Sequence, residues 1–193
     1  MVRFEKHKRG AAVLPFGLKK TIAMVGMMGA GKTAIGAALA KRLGVPFLDS
    51  DTEIEAAANM SVAEIFTRYG EAFFREKETQ VIARLLDGKP AVLSTGGGAY
   101  LAEGNRKMIS ERGTAVWLRA DLELLWERVR HKTTRPLVNT PDPKSTLRQL
   151  YEDRTPIYQM ADLIIEADPA FSIEDMTDHV FENLKTRPDV LGD

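Results

Sequence analysis

No cysteine occurs among the 193 residues, so disulfides, cysteine nucleophiles and thiolate metal sites are excluded; a reducing compartment is compatible with this. Histidine is nearly as scarce. His7, His131 and His179 are scattered, which suggests neither a histidine base nor a zinc site. An excess of charge of either sign is missing too. Lysine plus arginine and aspartate plus glutamate both number 27, so no overall field draws the chain to nucleic acid. No apolar run approaches the length of a membrane span, so no membrane partner is expected. Internal repeats, low-complexity tracts and long heptads are absent, and a monomer is the expectation.

A chain of this length builds one compact domain and is too short for two ordinary ones. Residues 1–20 carry six basic residues against one acidic. Their apolar piece, Ala11 to Leu18, is short and interrupted by Pro15 and Gly17, unlike a signal peptide. Residues 1–18 read as a flexible solvated arm, with a docking or targeting role as the alternative. The domain is expected over 19–186, with a tail at 187–193.

From residue 20 onward, strand-like apolar runs alternate with helical patterns. Strands are expected at 20–25, from 45 to about 48, and at 91–95, 114–118 and 163–166. Helices are expected at 32–43, 52–59, 61–69, 71–87, 104–112, 121–130, 145–160 and 172–185. Residues 131–143 are rich in proline and threonine and follow neither period. Five strands interleaved with helices predict an α/β fold, a five-stranded parallel sheet with helices on both faces. Ligands in such sheets bind beyond the carboxyl ends of the strands, so the residues just after each strand carry the functional information.

After the first strand comes Gly26-Met27-Met28-Gly29-Ala30-Gly31-Lys32-Thr33, which fits GxxxxGK followed by Ser or Thr. Glycines let the backbone curl so that successive N–H groups face phosphate oxygens, and the next helix starts with its positive end there. Lys32 supplies a cation between the terminal phosphates, and the Thr33 hydroxyl suits magnesium. The context between a strand and a helix separates this match from a chance glycine turn and predicts nucleoside triphosphate binding.

The second strand ends in Asp49-Ser50-Asp51. Residues two apart on a strand share a face, so both carboxylates are expected in one cleft. Asp49 is assigned to magnesium waters and Asp51 to a substrate hydroxyl; the alternative is that Asp51 or Thr52 merely caps the following helix. The third strand ends in Ser94-Thr95-Gly96-Gly97-Gly98, where bare backbone can approach a ligand, or simply turn. No aspartate stands on that strand, which leaves the metal to Asp49, with Ser94 or Thr95 as helpers. Arg75 and Glu78, three apart on a helix, can pair and fix a guanidinium for carboxylate capture; a solvated charged face is an equal alternative. Arg135 in the 131–143 segment suits a lid that brings charge to the phosphates and excludes water, and Arg154 follows on the next helix.

Together these strand-end motifs resemble the shikimate kinase family over about residues 20–185. The marks are GMMGAGKT at 26–33, DSD at 49–51, FREKE at 74–78, GGG at 96–98, RPL at 135–137 and the RTPIY stretch from Arg154. The resemblance implies a P-loop kinase fold with a lid at about 131–143, ATP as co-substrate, magnesium as cofactor and a cytoplasmic enzyme making shikimate 3-phosphate. It implies that Gly29, Ala30, Gly31, Lys32, Thr33 and Ala34 surround the phosphates, Ala34 standing where a second hydroxyl is common. It further implies that Asp49 serves magnesium and Asp51 the substrate hydroxyls. Arg75 and Arg154 would bind the carboxylate, Gly96, Gly97 and Gly98 the ring substituents, and Arg135 would close on ATP. Arg128 stands near where an adenine-packing arginine is found. Ala167-Asp168-Pro169, near the expected adenine site, lacks a basic residue. A gluconate or nucleotide kinase on the same fold is the rival enzyme, although Ser50-Asp51 replaces the leucine-histidine pair usual in gluconate kinases. A non-catalytic nucleotide-binding module is the rival from another class.

Overall fold

The computed structural model describes residues 17–131 and 140–192. The central strand is β1 (Thr21–Val25), whose five residues are all buried. Beside it lie β3 (Val92–Ser94) and β4 (Gly113–Arg119), with β2 (Phe47–Asp49) and β5 (Leu163–Glu166) at the margins. The order is β2-β3-β1-β4-β5 and every pairing is parallel, in register at Met24↔Ser94 and Met24↔Val116. The expected five-stranded sheet is therefore present.

Helix α1 (Lys32–Leu43) leads from β1 to β2, and α4 (Glu103–Arg112) leads from β3 to β4, in opposite directions across the sheet. Right-handed crossovers place those two helices on opposite faces. α7 (Ile173–Leu184) packs against α1, and Leu39, Val180 and Leu184 are fully buried in the main core. Burying such side chains stabilises the fold by about 1.5–3 kcal/mol each. Beyond α7 the chain stays on the domain: Val190 and Leu191 are buried, and Leu18 pairs with Leu191. Among the described residues no helix is long and apolar enough to cross a membrane.

α2 (Ser50–Ala58) and α3 (Val62–Leu86) form a smaller lobe with its own core of Ile54, Ile65, Phe74, Val81, Leu85 and Leu93. The sequence SVAE starts α3 through a capping box, Ser61 N donating to Glu64 Oε2 at 2.8 Å and Glu64 N to Ser61 Oγ at 3.2 Å. The two helical pieces expected on either side of residue 70 are present, joined across a kink within α3 at Gly70, whose φ of 79° is open to glycine. α5 (Leu122–Val129) is capped by Asp121, and α6 (Pro143–Tyr158) by Asp142 with proline in its first turn. The arm at 1–16 and most of the 131–143 segment, Arg135 included, lie outside the described residues.

Candidate active site

The glycine-rich loop joins the buried end of β1 to the first residue of α1, so its backbone meets a helix N-terminus. Gly29 has φ of 83°, and a Cβ there would lie 2.8 Å from Val129 Cγ1, so both conformation and space demand glycine. Lys32 is only 9% exposed, and its Nζ donates to the carbonyls of Gly26 at 2.8 Å and Met27 at 3.0 Å. The loop thus holds its own cation at the phosphate position. α5 delivers Arg128 onto the same loop, where Nη1 donates to the carbonyls of Gly29 and Ala30 at 3.2 and 3.4 Å.

A cavity of about 510 Å³ opens here between Gly29, Lys32, Thr33, Arg128, Phe171 and Ile173, and Gly31 and Ala34 also line it. That size suits a nucleotide. Its far wall comes from the start of α7, not from Asp168, whose Oδ1 accepts from Ala170 N at 2.8 Å. Phe171 and Ile173 were not singled out from sequence, which does not report that these large apolar residues are left exposed.

Thr33 Oγ1 lies 3.2 Å from Ser94 Oγ and 3.5 Å from Asp49 Oδ2. This is an oxygen-only set with one carboxylate, which fits a magnesium ion that keeps its remaining positions for water and phosphate. Thr95 is directed elsewhere, its hydroxyl donating to Met24 O at 3.0 Å.

The strand argument for the two aspartates needs correction. β2 ends at Asp49 and α2 begins at Ser50, so Asp51 sits in a helical turn and not on the strand. Asp49 itself is the cap, Oδ1 accepting from Asp51 N at 3.1 Å and Thr52 N at 3.3 Å. Capping and the approach to Thr33 use different oxygens of one carboxylate. The helical turn carries Asp51 into a second pocket of about 180 Å³ with Arg75, Glu78, Gly96, Gly97, Gly98 and Arg154. Burial raises the Asp51 carboxyl above its ordinary value; Asp49 adds to the rise and Lys32 opposes it.

The pocket accounts for two glycines of the triplet by close approach. A Cβ on Gly96 would lie 2.8 Å from Asp51 Oδ1 and 3.0 Å from Glu78 Oε1, and one on Gly98 would lie 2.4 Å from Arg75 Nη2. Arg75 is held as the spacing suggested, Nη1 donating to Glu78 Oε2 at 2.8 Å and Nη2 to Glu71 Oε1 at 3.2 Å. Glu78 is 1% exposed, burial raises its carboxyl, and its Oε1 has no hydrogen-bond partner among the described residues. Its pairing with Arg75 was expected, whereas its burial beside Phe74 and Ile82 on α3 was not.

A phosphate-binding loop, a neighbouring oxygen-ligand set and an adjoining pocket lined by two arginines define a P-loop kinase of small molecules. The shikimate kinase family model matches residues 28–185. The chain is 68% identical to a shikimate kinase of Ruegeria pomeroyi over 174 residues, covering 90% of this chain and 89% of that one. It is 66% identical to one from Cereibacter sphaeroides over 174 residues, covering 90% and 87%. In structure it is similar to the shikimate kinase from Acinetobacter baumannii in complex with shikimate, with a TM-score of 0.82, 38% identity and coverage of 86% and 93%. The chain belongs to the shikimate kinase family.

Proposed function

We propose that this protein transfers the γ-phosphoryl group of ATP to the 3-hydroxyl of shikimate, giving shikimate 3-phosphate in the cytoplasmic route to aromatic amino acids. The observation that carries this reading is the convergence of Asp51, Arg75 and Arg154 in one pocket that Met28 of the phosphate loop also lines. A carboxylate requires the arginines, and a hydroxyl directed at the phosphate loop requires an acceptor such as Asp51. A nucleotide base calls for no guanidinium group, and gluconate, which shares the carboxylate, is separated from shikimate by turnover. The wider cavity beside Arg128 takes ATP, with Phe171 and Ile173 against the base.

Lys32 exchanges its loop carbonyls for phosphate oxygens and stabilises the charge that grows on them in transfer. Thr33, Asp49 and Ser94 would hold magnesium, which when bound would neutralise phosphate charge. Asp51 orients the attacking hydroxyl, and Gly96, Gly97 and Gly98 admit the ring close to backbone. Arg135 closes on ATP, as the family pattern implies.

Coupled ATP turnover measured with shikimate, gluconate and each nucleoside monophosphate tests the reading. Shikimate alone should sustain turnover, and only with magnesium present. Lys32→Ala should stay folded and lose several powers of ten in kcat. Faster turnover of gluconate or a nucleotide would overturn the assignment.

A further inference from the structure

Tyr158 is fully buried on α6, one helical turn after Arg154. Its ring stacks with Trp117 at 5.9 Å and Tyr100 at 6.4 Å, and its hydroxyl donates to the carbonyl oxygen of Gly97 at 2.5 Å. Burial raises that hydroxyl to about 12 against the opposing pull of the Arg154 guanidinium, so it remains a donor throughout the working range of pH. Phosphate binding does not account for this group, whose hydroxyl also meets the Arg154 guanidinium.

In a planar trans peptide the carbonyl and the next N–H point in opposite directions. Tyr158 reaches the Gly97 carbonyl from the aromatic core, behind the glycine triplet. The Gly98 N–H is therefore turned away from that core, to the side where Gly97 and Gly98 line the pocket with Arg75 and Arg154. Consecutive glycines do little to hold a peptide plane by themselves, because both signs of φ are open to them. An external bond to the carbonyl removes that freedom. Because Tyr158 and Arg154 are four apart on α6, one helical turn sets both the peptide plane and the guanidinium.

We propose that Tyr158 is a positioning residue for the substrate: its hydroxyl locks the Gly97–Gly98 peptide so that the Gly98 N–H faces the pocket in register with Arg154. This rests on the reading that the pocket takes shikimate. The competing role is a core tyrosine that fills space, for which phenylalanine would serve equally in binding.

Tyr158→Phe keeps the ring and removes the hydroxyl, with its bond to Gly97 O and its contact with Arg154. Tyr100→Phe is the control, since Tyr100 belongs to the same stack but donates to Met160 O at 3.1 Å, off the triplet. Shikimate and ATP dissociation constants are measured separately by calorimetry on the full chain, alongside thermal melts. Tyr158→Phe should weaken shikimate about 10-fold, the size of one buried hydrogen bond, and leave ATP within about twofold. Tyr100→Phe should lower Tm without moving shikimate affinity. Unchanged shikimate binding in Tyr158→Phe, or an equal loss for ATP, overturns the positioning role while leaving the substrate assignment standing. Failure of the wild-type protein to bind shikimate would remove both.

Discussion

Arg75 Nη1 donates to Glu78 Oε2 across 2.8 Å, and the carboxylate that receives it is 1% exposed. A buried acid thus fixes one end of a partly exposed guanidinium that lines the pocket, while exposed Glu71 accepts from Nη2 and Nε at 3.2 and 3.3 Å. Arg154 reaches the same pocket from α6 and has no such anchor in α3.

The two arginines should therefore fail differently. Arg75→Ala and Arg154→Ala should each cost on the order of 2–5 kcal/mol of shikimate binding, with ATP affinity almost unmoved. Only Arg75→Ala should also lower the unfolding free energy measured in urea, by about 1–3 kcal/mol, because it leaves Glu78 buried without its partner. Equal losses for ATP and shikimate would mean general collapse of the small lobe.

Gly98→Ala separates space from backbone strain. Gly98 has an ordinary φ of −92°, so alanine is tolerated by the backbone, but its Cβ would fall 2.4 Å from Arg75 Nη2. The end of a flexible side chain can move aside, so the fold should persist while the Arg75–Glu78 geometry is lost. The expected result is a near-normal melt and a shikimate KM raised about 10-fold or more. A normal KM would show that Arg75 does not need its present place.

The architecture was legible because hydrophobic periodicity and strand-end motifs agreed. β5 falls at 163–166 and α1 at 32–43, as the pattern predicts, and the alternation of elements sets the sheet. The motif residues Asp51, Arg75, Arg154 and Gly96–Gly98 meet in one pocket although they are spread over about half the chain. Their meeting follows from α2, α3, α6 and the glycine triplet converging beyond the carboxyl ends of a parallel sheet. What sequence reading got wrong was local geometry. Period-two reasoning was extended through Asp51, whereas the Asp49 side chain captures two N–H groups and starts a helix there. The pairing of Glu78 with Arg75 was legible, but its burial and the part played by Tyr158 were not, for a different reason. Burial of a polar side chain depends on tertiary neighbours, and nothing in the spacing of one helix reports it.

Acid dependence of stability offers a check on the pocket's electrostatics. Burial raises Asp51, and an acid whose folded pKa exceeds its unfolded one contributes stability that is complete below the unfolded value. That contribution is lost as the pH rises through the folded value. Asp51→Asn cannot ionise, so without substrates its urea midpoint should gain on wild type from about pH 4 upward, then level off. Asp142, Asp175 and Glu64 are lowered by their helix-cap bonds and slope the other way, but equally in both proteins. A difference that stayed flat from acid to neutral pH would show that Asp51 is not held above its ordinary value.

Asp51 raises the question of whether the carboxylate takes the hydroxyl proton or orients the hydroxyl. Burial and Asp49 both make it a better proton acceptor than a free aspartate, while Lys32 beside it works against that. In a loose phosphoryl transfer the attacking oxygen keeps its proton until late, so strong basicity contributes little. Orientation contributes more, since correct placement of a nucleophile accounts for several kcal/mol of a barrier. Asp51→Asn keeps an acceptor oxygen but loses the charge and gains a donor that faces the hydroxyl. It should weaken shikimate by about 10- to 100-fold, the worth of one hydrogen bond to a charged group, and lower kcat as well. The kcat profile of wild type should show no acidic limb near neutrality that vanishes in the variant. A limb that disappeared in Asp51→Asn while shikimate affinity stayed normal would instead make Asp51 a true base.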